Sequence, residues 1–370
     1  MKNDKRIVLT LDAGGTNFRF SAIQGGKIIV NSVRLPSNAA TLDEMLDKIV
    51  SGFQALIDQL SETPVAISFA FPGPANYEQG IIGDLENLPL FKGGVALGPF
   101  LQNHFKLPVL INNDGDLFTL GEAIGGILPE INSELEKAEN PKRYRNLLGL
   151  TFGTGFGAGI VSDGKLLVGD NSAQAEINRM RNYLMPETSI EDSVSIRAIK
   201  RIYAQEALIA DELCPDPFEI YKIGIDQAKG NKKAALKAFE SLGIAAANAA
   251  ADAITLIDGI VVIGGGLSGA ANLFMPTISS EMNRSFTTLS GDKLDRMEVK
   301  TYNLNDEKER KAFLQADLKQ IPIPRSNKTI AYDNTKKIGV AISVLNTSEA
   351  VAIGAYAFAL QKLDKIKKET

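Results

Sequence analysis

The chain contains one strand–turn–strand pattern twice, with the copies starting about 140 residues apart. In the first copy, residues 6–30, a glycine-rich turn separates two short apolar stretches, and Gly25-Gly26 leads into a third. The second copy, residues 147–168, has the same order and uses Ser162-Asp163-Gly164 at its second turn. Short apolar stretches bounded by turn residues are typical of β-strands. Any two β-hairpins resemble each other, but glycines at the same turn in both copies favour a duplicated domain.

The rest of the chain alternates helical and strand patterns. Apolar residues recur every three or four positions over residues 42–60, which predicts a helix. A strand is predicted over 65–71, a long alanine-rich helix over 236–256 and a last helix from about 348. Residues 292–336 are charged and contain two prolines, so we expect an irregular surface insertion there. This alternation indicates an α/β protein.

Composition excludes several classes of protein. With 370 residues the chain suits two domains, and 44% hydrophobic with 23% charged residues argues against disorder. A net charge of -4 leaves no basic surplus for a nucleic-acid partner. The single Cys and single His cannot form a disulfide or a four-ligand zinc site. No apolar segment suits a signal peptide or a membrane span, so we expect a cytoplasmic protein without a membrane partner.

The first glycine-rich turn lies between two predicted strands, which excludes the Rossmann fingerprint and the Walker loop because both open a helix. Gly14 and Gly15 allow backbone N–H groups to approach phosphate oxygens closely. Thr16 and Asn17 add side-chain donors, and Asp12 suits Mg²⁺, bound directly or through water. An ordinary hairpin turn would explain the glycines alone, but not this set of polar neighbours.

Two more glycine runs follow predicted strands. The turn in the second copy has the same character as the first, and we expect it to grip the phosphate chain from the other side. The third run precedes a predicted helix and is expected to bring backbone against a nucleoside. Each run alone is weak support, but three at strand ends favour a nucleotide site. The residues assigned to nucleotide binding in these two turns are Gly153, Thr154, Gly155, Gly264, Gly265 and Gly266.

A candidate catalytic carboxylate follows the predicted strand that begins at Val109. The strand delivers Asn113 and Asp114 at its carboxyl end, where an α/β sheet places its chemistry. Asp114 is suited to accept the proton of a substrate hydroxyl during phosphoryl transfer. Capping of the following helix is the alternative. The catalytic role and the capping role are compatible if Asp116 or Gly115 caps the helix and Asp114 lies in the cleft.

Together these motifs resemble the ROK family of sugar kinases, glucokinase-like members of the actin-like ATPase superfamily, over residues 7–360. The resemblance implies an α/β fold of two RNase H-like domains with an interdomain cleft. It implies a smaller domain, 1–114 plus 355–370, and a larger domain, 115–354, with an insertion near 292–336. It also implies ATP and Mg²⁺ as cofactors, a small-molecule sugar such as glucose phosphorylated on its 6-hydroxyl, and a homodimer.

The same resemblance assigns residues to the sugar. The family's Glu-x-Gly-His motif reads Glu176-Ile177-Asn178-Arg179 here, so Arg179 stands where the histidine would be. The cysteines that bind zinc in the family are missing, and we expect a zinc-free branch whose sugar pocket is rebuilt around Arg179. The resemblance makes Asp114 the catalytic base and assigns to substrate binding Gly73, Asn87, Asn113, Asp114, Glu176, Arg179 and Glu191.

Alternatives from other classes stay open at this point. ROK relatives include sugar-responsive transcriptional repressors with a DNA-binding segment ahead of the kinase-like part. Because the first strand begins at Ile7, we expect no such segment here. A silent sugar-binding protein is disfavoured by Asp12, Asn113 and Asp114. A kinase for fructose or an N-acetylated amino sugar remains as compatible with the motifs as one for glucose.

Overall fold

A computed structural model describes residues 3–13, 17–83 and 89–369 of the chain. Predictions for Gly14, Gly15, Thr16 and Asn87 therefore lie outside the described residues. The strands are β1 (Ile7–Ala13), β2 (Asn17–Gln24), β3 (Lys27–Ile28), β4 (Val33–Pro36), β5 (Ala66–Ala70), β6 (Ala75–Asn76), β7 (Ile81–Ile82), β8 (Val109–Asn112), β9 (Leu147–Phe152), β10 (Phe156–Ser162), β11 (Lys165–Leu166), β12 (Ile260–Gly264), β13 (Ser285–Thr287), β14 (Lys293–Asp295), β15 (Lys300–Asn303), β16 (Leu318–Pro322), β17 (Thr329–Asp333) and β18 (Lys337–Ile342). The helices are α1 (Leu42–Ile57), α2 (Leu97–Phe105), α3 (Asp114–Ile124), α4 (Ile127–Lys137), α5 (Ile196–Ala207), α6 (Pro217–Gly224), α7 (Lys232–Ile257), α8 (Ala271–Met282), α9 (Glu307–Leu314) and α10 (Thr347–Glu369).

The chain forms two compact units. The first contains residues 1–126, 159–175 and 344–370, and the second contains residues 127–158 and 176–343. The first unit is therefore larger than the smaller domain expected from the resemblance, since it includes all of α3 and the segment after Gly159. The expected domain boundaries remain a prediction.

The first unit is built on a sheet with the strand order β3-β2-β1-β5-β8, and β4 pairs with β2. Strands β1, β5 and β8 are parallel, so their carboxyl ends meet at one edge. One face of the sheet packs against α1 and α2, because Leu9 and Leu11 cluster with Phe53 and Leu101. The alternate residues of β1 face α10.

Helix α1 shows why these residues fold as they do. The Thr41 side chain accepts a hydrogen bond from the Glu44 amide at 3.2 Å, which caps the first turn. Met45 and Phe53 lie on the buried face. Phe53 meets Phe20 edge-to-face, with ring centroids 5.1 Å apart. A capped helix with one apolar face thus covers the first sheet.

Helices α3 and α10 cross in backbone contact. A Cβ built on Gly121 would lie 1.9 Å from the Ala350 carbonyl oxygen, and one on Gly354 would lie 1.8 Å from the Leu117 carbonyl oxygen. No side chain larger than hydrogen fits at either position. The crossing therefore holds α3, which begins at Asp114, at a defined distance from the C-terminal helix.

The second hairpin predicted in each copy of the pattern is present. Strand β2 pairs with β3, and β10 pairs with β11, in antiparallel register. The paired residues occupy equivalent positions of the two copies. They are Ile23 with Ile28 and Gln24 with Lys27 in the first copy, and Val161 with Leu166 and Ser162 with Lys165 in the second.

The second unit contains parallel strands in the order β9-β12-β18-β15. The expected insertion or extended surface element near 292–336 remains a prediction, but this range contains regular structure. Strand β15 lies in the sheet with Thr301 and Tyr302 buried, and α9 begins at an Asp306 cap. The charged residues lie on exposed faces, and the buried apolar residues are too widely spaced to give a periodic pattern. The β16–β17 hairpin is exposed along nearly all of its length, and strands β13 and β14 are exposed throughout.

Three smaller predictions concern surface residues and membrane insertion. His104 is exposed on α2, as predicted for a surface helix residue. Cys214 is partly buried in the connection before α6, and burial raises the pKa of its thiol. Among the described residues, every helix falls short of the length and apolar content that crossing a bilayer requires.

Candidate active site

The carboxyl edge of the first sheet collects the predicted catalytic groups of the first unit. Asp12 lies near the end of β1, Gly73 follows β5, and Asp114 follows β8. The pairing of β1 with β5 and of β5 with β8 places Asp12 level with Asn112. Asp12 and Asn112 are separated by two strand spacings, which corresponds to about 10 Å between their backbones. A carboxylate from each of two strands thus lies at one edge.

Asn113 is the N-cap of α3, and this corrects the sequence-based alternatives. The Gly115 amide donates to Asn113 Oδ1 at 2.8 Å and also lies 2.9 Å from Asp114 Oδ1. The cap is therefore neither Asp116 nor Gly115. Asp116 is buried in the first turn, where its carboxylate accepts a hydrogen bond from Gln174 Nε2 at 2.5 Å. Asp114 is left as the exposed carboxylate of this turn.

The Asp114 carboxyl is held in a less hydrated environment than its exposure suggests. Solvent reaches the side chain, but the protein packed around it removes bulk water from most directions, and this loss of hydration raises its pKa above 3.8. The Gly115 hydrogen bond acts in the opposite direction and is the smaller effect. A raised pKa brings a carboxylate closer to the range that suits a general base.

The structure also describes three other predicted site residues of the first unit. Asp12 is partly buried on β1, and Asn17 is exposed at the start of β2. Gly73 is exposed, and a Cβ there would lie 3.2 Å from the Tyr77 hydroxyl, which itself donates to the Phe71 carbonyl at 2.9 Å. Their contacts with nucleotide, metal and sugar remain predictions.

In the second unit, the glycine runs meet at the ends of two neighbouring strands. Gly264 pairs with Thr151 and belongs to β12, so it is part of a strand and not of a loop. Gly265 has φ +88°, and a Cβ there would lie 2.4 Å from the Phe152 carbonyl oxygen. The same oxygen accepts a hydrogen bond from the Leu267 amide at 3.0 Å. Glycine is required at Gly265, and the third run lies directly against the end of β9.

The backbone of these turns is open on one side. Space is free where a Cβ would stand on Gly153 and on Gly266. Thr154 is exposed between them in the second turn. The Gly153 carbonyl accepts a hydrogen bond from the Ile196 amide at 2.9 Å, which anchors the turn on α5. An anchored turn with an open glycine face is suited to backbone contacts with phosphate.

Glu191, predicted to bind sugar, contacts the second turn directly. Its Oε2 accepts a hydrogen bond from the Phe156 amide at 3.1 Å, and a Cβ on Gly155 would lie 2.7 Å from that oxygen. Its Oε1 pairs with Arg197 Nη2 at 3.0 Å. A carboxylate has about four acceptor positions, so a sugar hydroxyl is still accommodated. Glu191 thus connects the predicted sugar residues of this unit with its phosphate turn.

A sequence model of the ROK family matches residues 8–307 of this chain. The chain belongs to the ROK family. The crystal structure of a glucokinase from Parabacteroides distasonis is 52% identical, with a TM-score of 0.88 over 97% of this chain and 99% of that one. An actin-like α/β fold therefore describes this chain, as the resemblance implied.

Curated ROK relatives are more distant. An N-acetyl-D-glucosamine kinase from Vibrio vulnificus is 29% identical over 46% of this chain and 51% of the relative. A glucokinase from Halalkalibacterium halodurans is 27% identical over 47% of this chain and 50% of the relative. The chain spans about half the length of these curated relatives.

This ROK chain places the other predicted sugar residues on two adjoining segments of the second unit. Glu176 and Arg179 are exposed at a short 3-10 turn, where the Arg179 amide donates to the Glu176 carbonyl at 3.0 Å. The next residue, Met180, accepts a hydrogen bond from the Ile190 amide at 2.9 Å. The segment with Glu176 and Arg179 is thus tied to the segment that carries Glu191.

Asn182 organises the region where the ROK pattern has its cysteines. The side chain is fully buried, and every polar atom on it is used. Its Oδ1 accepts from two backbone amides, and its Nδ2 faces three oxygen acceptors. The partners are Leu184 N at 3.1 Å, Met185 N at 3.3 Å, Thr188 Oγ1 at 3.0 Å, Ser189 O at 3.2 Å and Ser193 Oγ at 2.8 Å.

Replacing Asn182 with Ala is expected to lower the free energy of unfolding by about 2–4 kcal/mol, because several buried donors and acceptors lose their partner. The KM for sugar should rise, since the residues before and after this hub carry Glu176 and Glu191. Denaturant unfolding and steady-state kinetics measure both effects. Asn103→Ala, at an exposed position of α2, is the control and should change stability by less than about 0.5 kcal/mol. Equal unfolding midpoints for the two variants would contradict this role.

Sequence reasoning missed Arg197, the partner of Glu191. The two residues are six positions apart across the start of α5, a spacing that matches no regular helix or strand pairing. Arg197 is one residue into α5, whose N-cap Ser195 accepts from the Ala198 amide at 3.4 Å. The available signal was the basic residue at the start of a helix, where cations are disfavoured by the helix dipole.

Proposed function

We propose that this chain is an ATP-dependent hexose kinase that transfers the γ-phosphoryl group to the 6-hydroxyl of glucose or a close relative. The observation that carries the proposal is Asp114, an exposed carboxylate with a raised pKa at the carboxyl edge of a sheet, next to the strand pair that presents Asp12. Membership of the ROK family and the printed name of the Parabacteroides distasonis neighbour, a glucokinase, support it.

In the proposed reaction, the Asp114 carboxylate accepts the proton of the sugar hydroxyl. The hydroxyl oxygen then forms a bond to the γ-phosphorus, and the bond from that phosphorus to the β–γ bridging oxygen breaks, releasing ADP. The proton on Asp114 returns to solvent after the sugar phosphate leaves. Most of the rate enhancement in phosphoryl transfer comes from positioning and charge stabilisation.

Asp12 is the proposed ligand for Mg²⁺. In the part of the chain that the structure describes, no cluster of three or more His, Cys, Asp or Glu side chains is suited to hold a metal. One carboxylate still fits Mg²⁺, because this ion is commonly held by one or two carboxylates together with substrate phosphates. When bound with ATP, Mg²⁺ supplies charge neutralisation at the phosphate oxygens. The backbones of the Gly153 and Gly265 turns are proposed to contact the nucleotide.

The identity of the sugar is the finer part of the proposal. Glu176, Arg179 and Glu191 offer two acceptor carboxylates and one donor, which suits neighbouring sugar hydroxyls. Curated relatives act on glucose, N-acetyl-D-glucosamine or fructose according to their names. Glucose is favoured because the neighbour that covers the whole chain at 52% identity bears that name.

The test is ADP release by the purified protein with Mg-ATP and a panel of glucose, fructose, mannose, N-acetylglucosamine and N-acetylmannosamine. Glucose is expected to give the highest kcat/KM. 6-Deoxyglucose is the matched control, since it keeps the ring and lacks the reacting hydroxyl, and it should give no ADP above background. A higher kcat/KM for another sugar would move the assignment to that sugar. No stimulation by any member would favour a non-catalytic, sugar-responsive role.

A further inference from the structure

A polar cavity of about 380 Å³ lies in the first unit, between the outer face of the β1–β2–β3 hairpins and the beginning of α10. Asp12 and Arg19 stand at one end, and Lys27 stands at the other. Thr10 and Ser21 line the strand face between them. The cavity therefore connects the proposed magnesium carboxylate with an arginine that the proposed mechanism has not used.

Asp12 and Arg19 are direct partners across the antiparallel strands β1 and β2. Side chains at such positions start with Cβ atoms about 4.5–5.5 Å apart and can meet easily. Nevertheless, in the described part of the chain no ion pair joins them, and the buried Arg19 Nε has no hydrogen-bond partner. By contrast, Arg310 makes three charge-assisted hydrogen bonds to two glutamates. Among the described residues, Arg19 is thus a partly buried guanidinium with an unsatisfied donor, beside a carboxylate that forms no ion pair.

A buried donor without a partner costs about 1–3 kcal/mol, so this arrangement is unfavourable unless a ligand completes it. A neutral sugar brings no charge that offsets either of these two side chains. A nucleotide phosphate that carries a divalent cation does, since the cation suits Asp12 and the phosphate oxygens suit Arg19. The planar guanidinium also binds phosphate through two parallel hydrogen bonds, which a lysine cannot do.

We propose that Arg19 is a phosphate-binding residue whose guanidinium donates hydrogen bonds to the terminal phosphate of ATP, while Asp12 holds the magnesium ion carried by the same nucleotide. The inference rests on the proposed kinase function and extends it to a residue outside the glycine-rich turn. Arg19 distinguishes ATP from ADP, because only ATP carries the γ-phosphate that the guanidinium contacts.

The test compares the affinities of AMPPNP and ADP, measured by calorimetry with Mg²⁺, for the wild type and for Arg19→Ala, Arg19→Lys and Lys27→Ala. Arg19→Ala is expected to weaken AMPPNP binding about 10- to 100-fold, the range for one or two charge-assisted hydrogen bonds, and ADP binding less than about threefold. Arg19→Lys should weaken AMPPNP binding by an intermediate factor. Lys27→Ala removes the same charge from the same cavity, about 16 Å along the strands, and should change neither affinity.

The outcomes separate this inference from the proposed function. Equal losses for AMPPNP and ADP in Arg19→Ala, or no loss, would overturn the γ-phosphate contact while sugar-dependent turnover of the wild type still supported a kinase. Failure of the wild type to bind either nucleotide would overturn both. Thermal unfolding shows whether Arg19→Ala is folded. If that variant is unfolded, the Arg19→Lys variant provides the test. An AMPPNP-to-ADP affinity ratio equal to that of the wild type in Arg19→Lys would then overturn the inference.

Discussion

Replacing Asp114 with Asn is expected to lower kcat by about 10²- to 10⁴-fold while the protein stays folded and still binds nucleotide. Asn keeps the shape of the side chain and the hydrogen bond from the Gly115 amide, but it cannot accept the substrate proton. Sugar-dependent ADP release measures the loss. Asp47→Asn, at an exposed position of α1, is the matched control and should be fully active. Near-complete turnover of Asp114→Asn would show that another group accepts the proton.

The raised pKa of Asp114 has two further measurable effects. Activity needs the ionised carboxylate, so the acidic limb of the kcat/KM profile should lie above pH 3.8, the ordinary value for Asp. For stability, a raised carboxyl pKa means that the folded state binds the proton more tightly than the unfolded state. The associated stabilisation is present below pH 3.8 and is lost as pH rises through the folded-state pKa. Asp114→Asn should therefore equal or exceed the wild type in thermal midpoint at neutral pH, with a smaller advantage in acid.

Replacing Gly121 or Gly354 with Ala is expected to destabilise the protein by about 3 kcal/mol or more. The added methyl would lie within 2 Å of a backbone carbonyl oxygen of the opposing helix, at 1.9 Å for Gly121 and 1.8 Å for Gly354. Neither backbone can rotate away as a side chain would, so α3 and α10 must separate and lose their packing. The intrinsic helix preference of Ala offsets only about 0.5–1 kcal/mol of this cost.

Gly125→Ala is the matched control for the crossing. It lies at the end of α3, where the nearest atom to a Cβ would be a side-chain methyl of Ile353, at 3.3 Å, and the nearest backbone atom, the Gly121 carbonyl oxygen, would lie at 3.7 Å. Its unfolding midpoint should stay close to that of the wild type. Separation of the helices should also displace Asp114, at the first position of α3, so folded Gly121→Ala at low temperature should lose turnover as well as stability. If Gly121→Ala and Gly354→Ala both unfolded like the wild type, the two helices would be able to move apart without loss of stability, which would contradict this prediction.

The sequence was informative wherever the signal is local. Apolar spacing located α1 over 42–57 against a predicted 42–60, and the turns after β2 and β10 followed from their glycines. The position of Asp114 after a buried strand was also readable, because strand and helix patterns adjoin there. The pairing of Asp12 with Arg19 across β1 and β2 could also have been predicted, since the length of the connection between antiparallel strands determines which residues face each other.

Other features could not be predicted because they depend on contacts between distant residues. Asn113 caps α3, while the buried Asp116 carboxylate accepts a hydrogen bond from Gln174, 58 residues away. Glu191 pairs with Arg197, six residues away, but its other carboxylate oxygen accepts a hydrogen bond from the Phe156 amide, 35 residues away. Strand β15 was not predicted because its four residues include only one large apolar side chain, Tyr302, and its place in the sheet comes from pairing with β18.

The discontinuous first unit has a consequence for biosynthesis. Its early strands are translated first, but one face of them is covered only by α10, at the far end of the chain. A ribosome must therefore complete the whole second unit before the first can close its core. During that interval the nascent strands expose apolar residues, the condition under which growing chains engage chaperones or aggregate. The apolar contacts that wait for the last helix are those of Val8, Ile23 and Ala66 with Tyr356, Ala359 and Leu360.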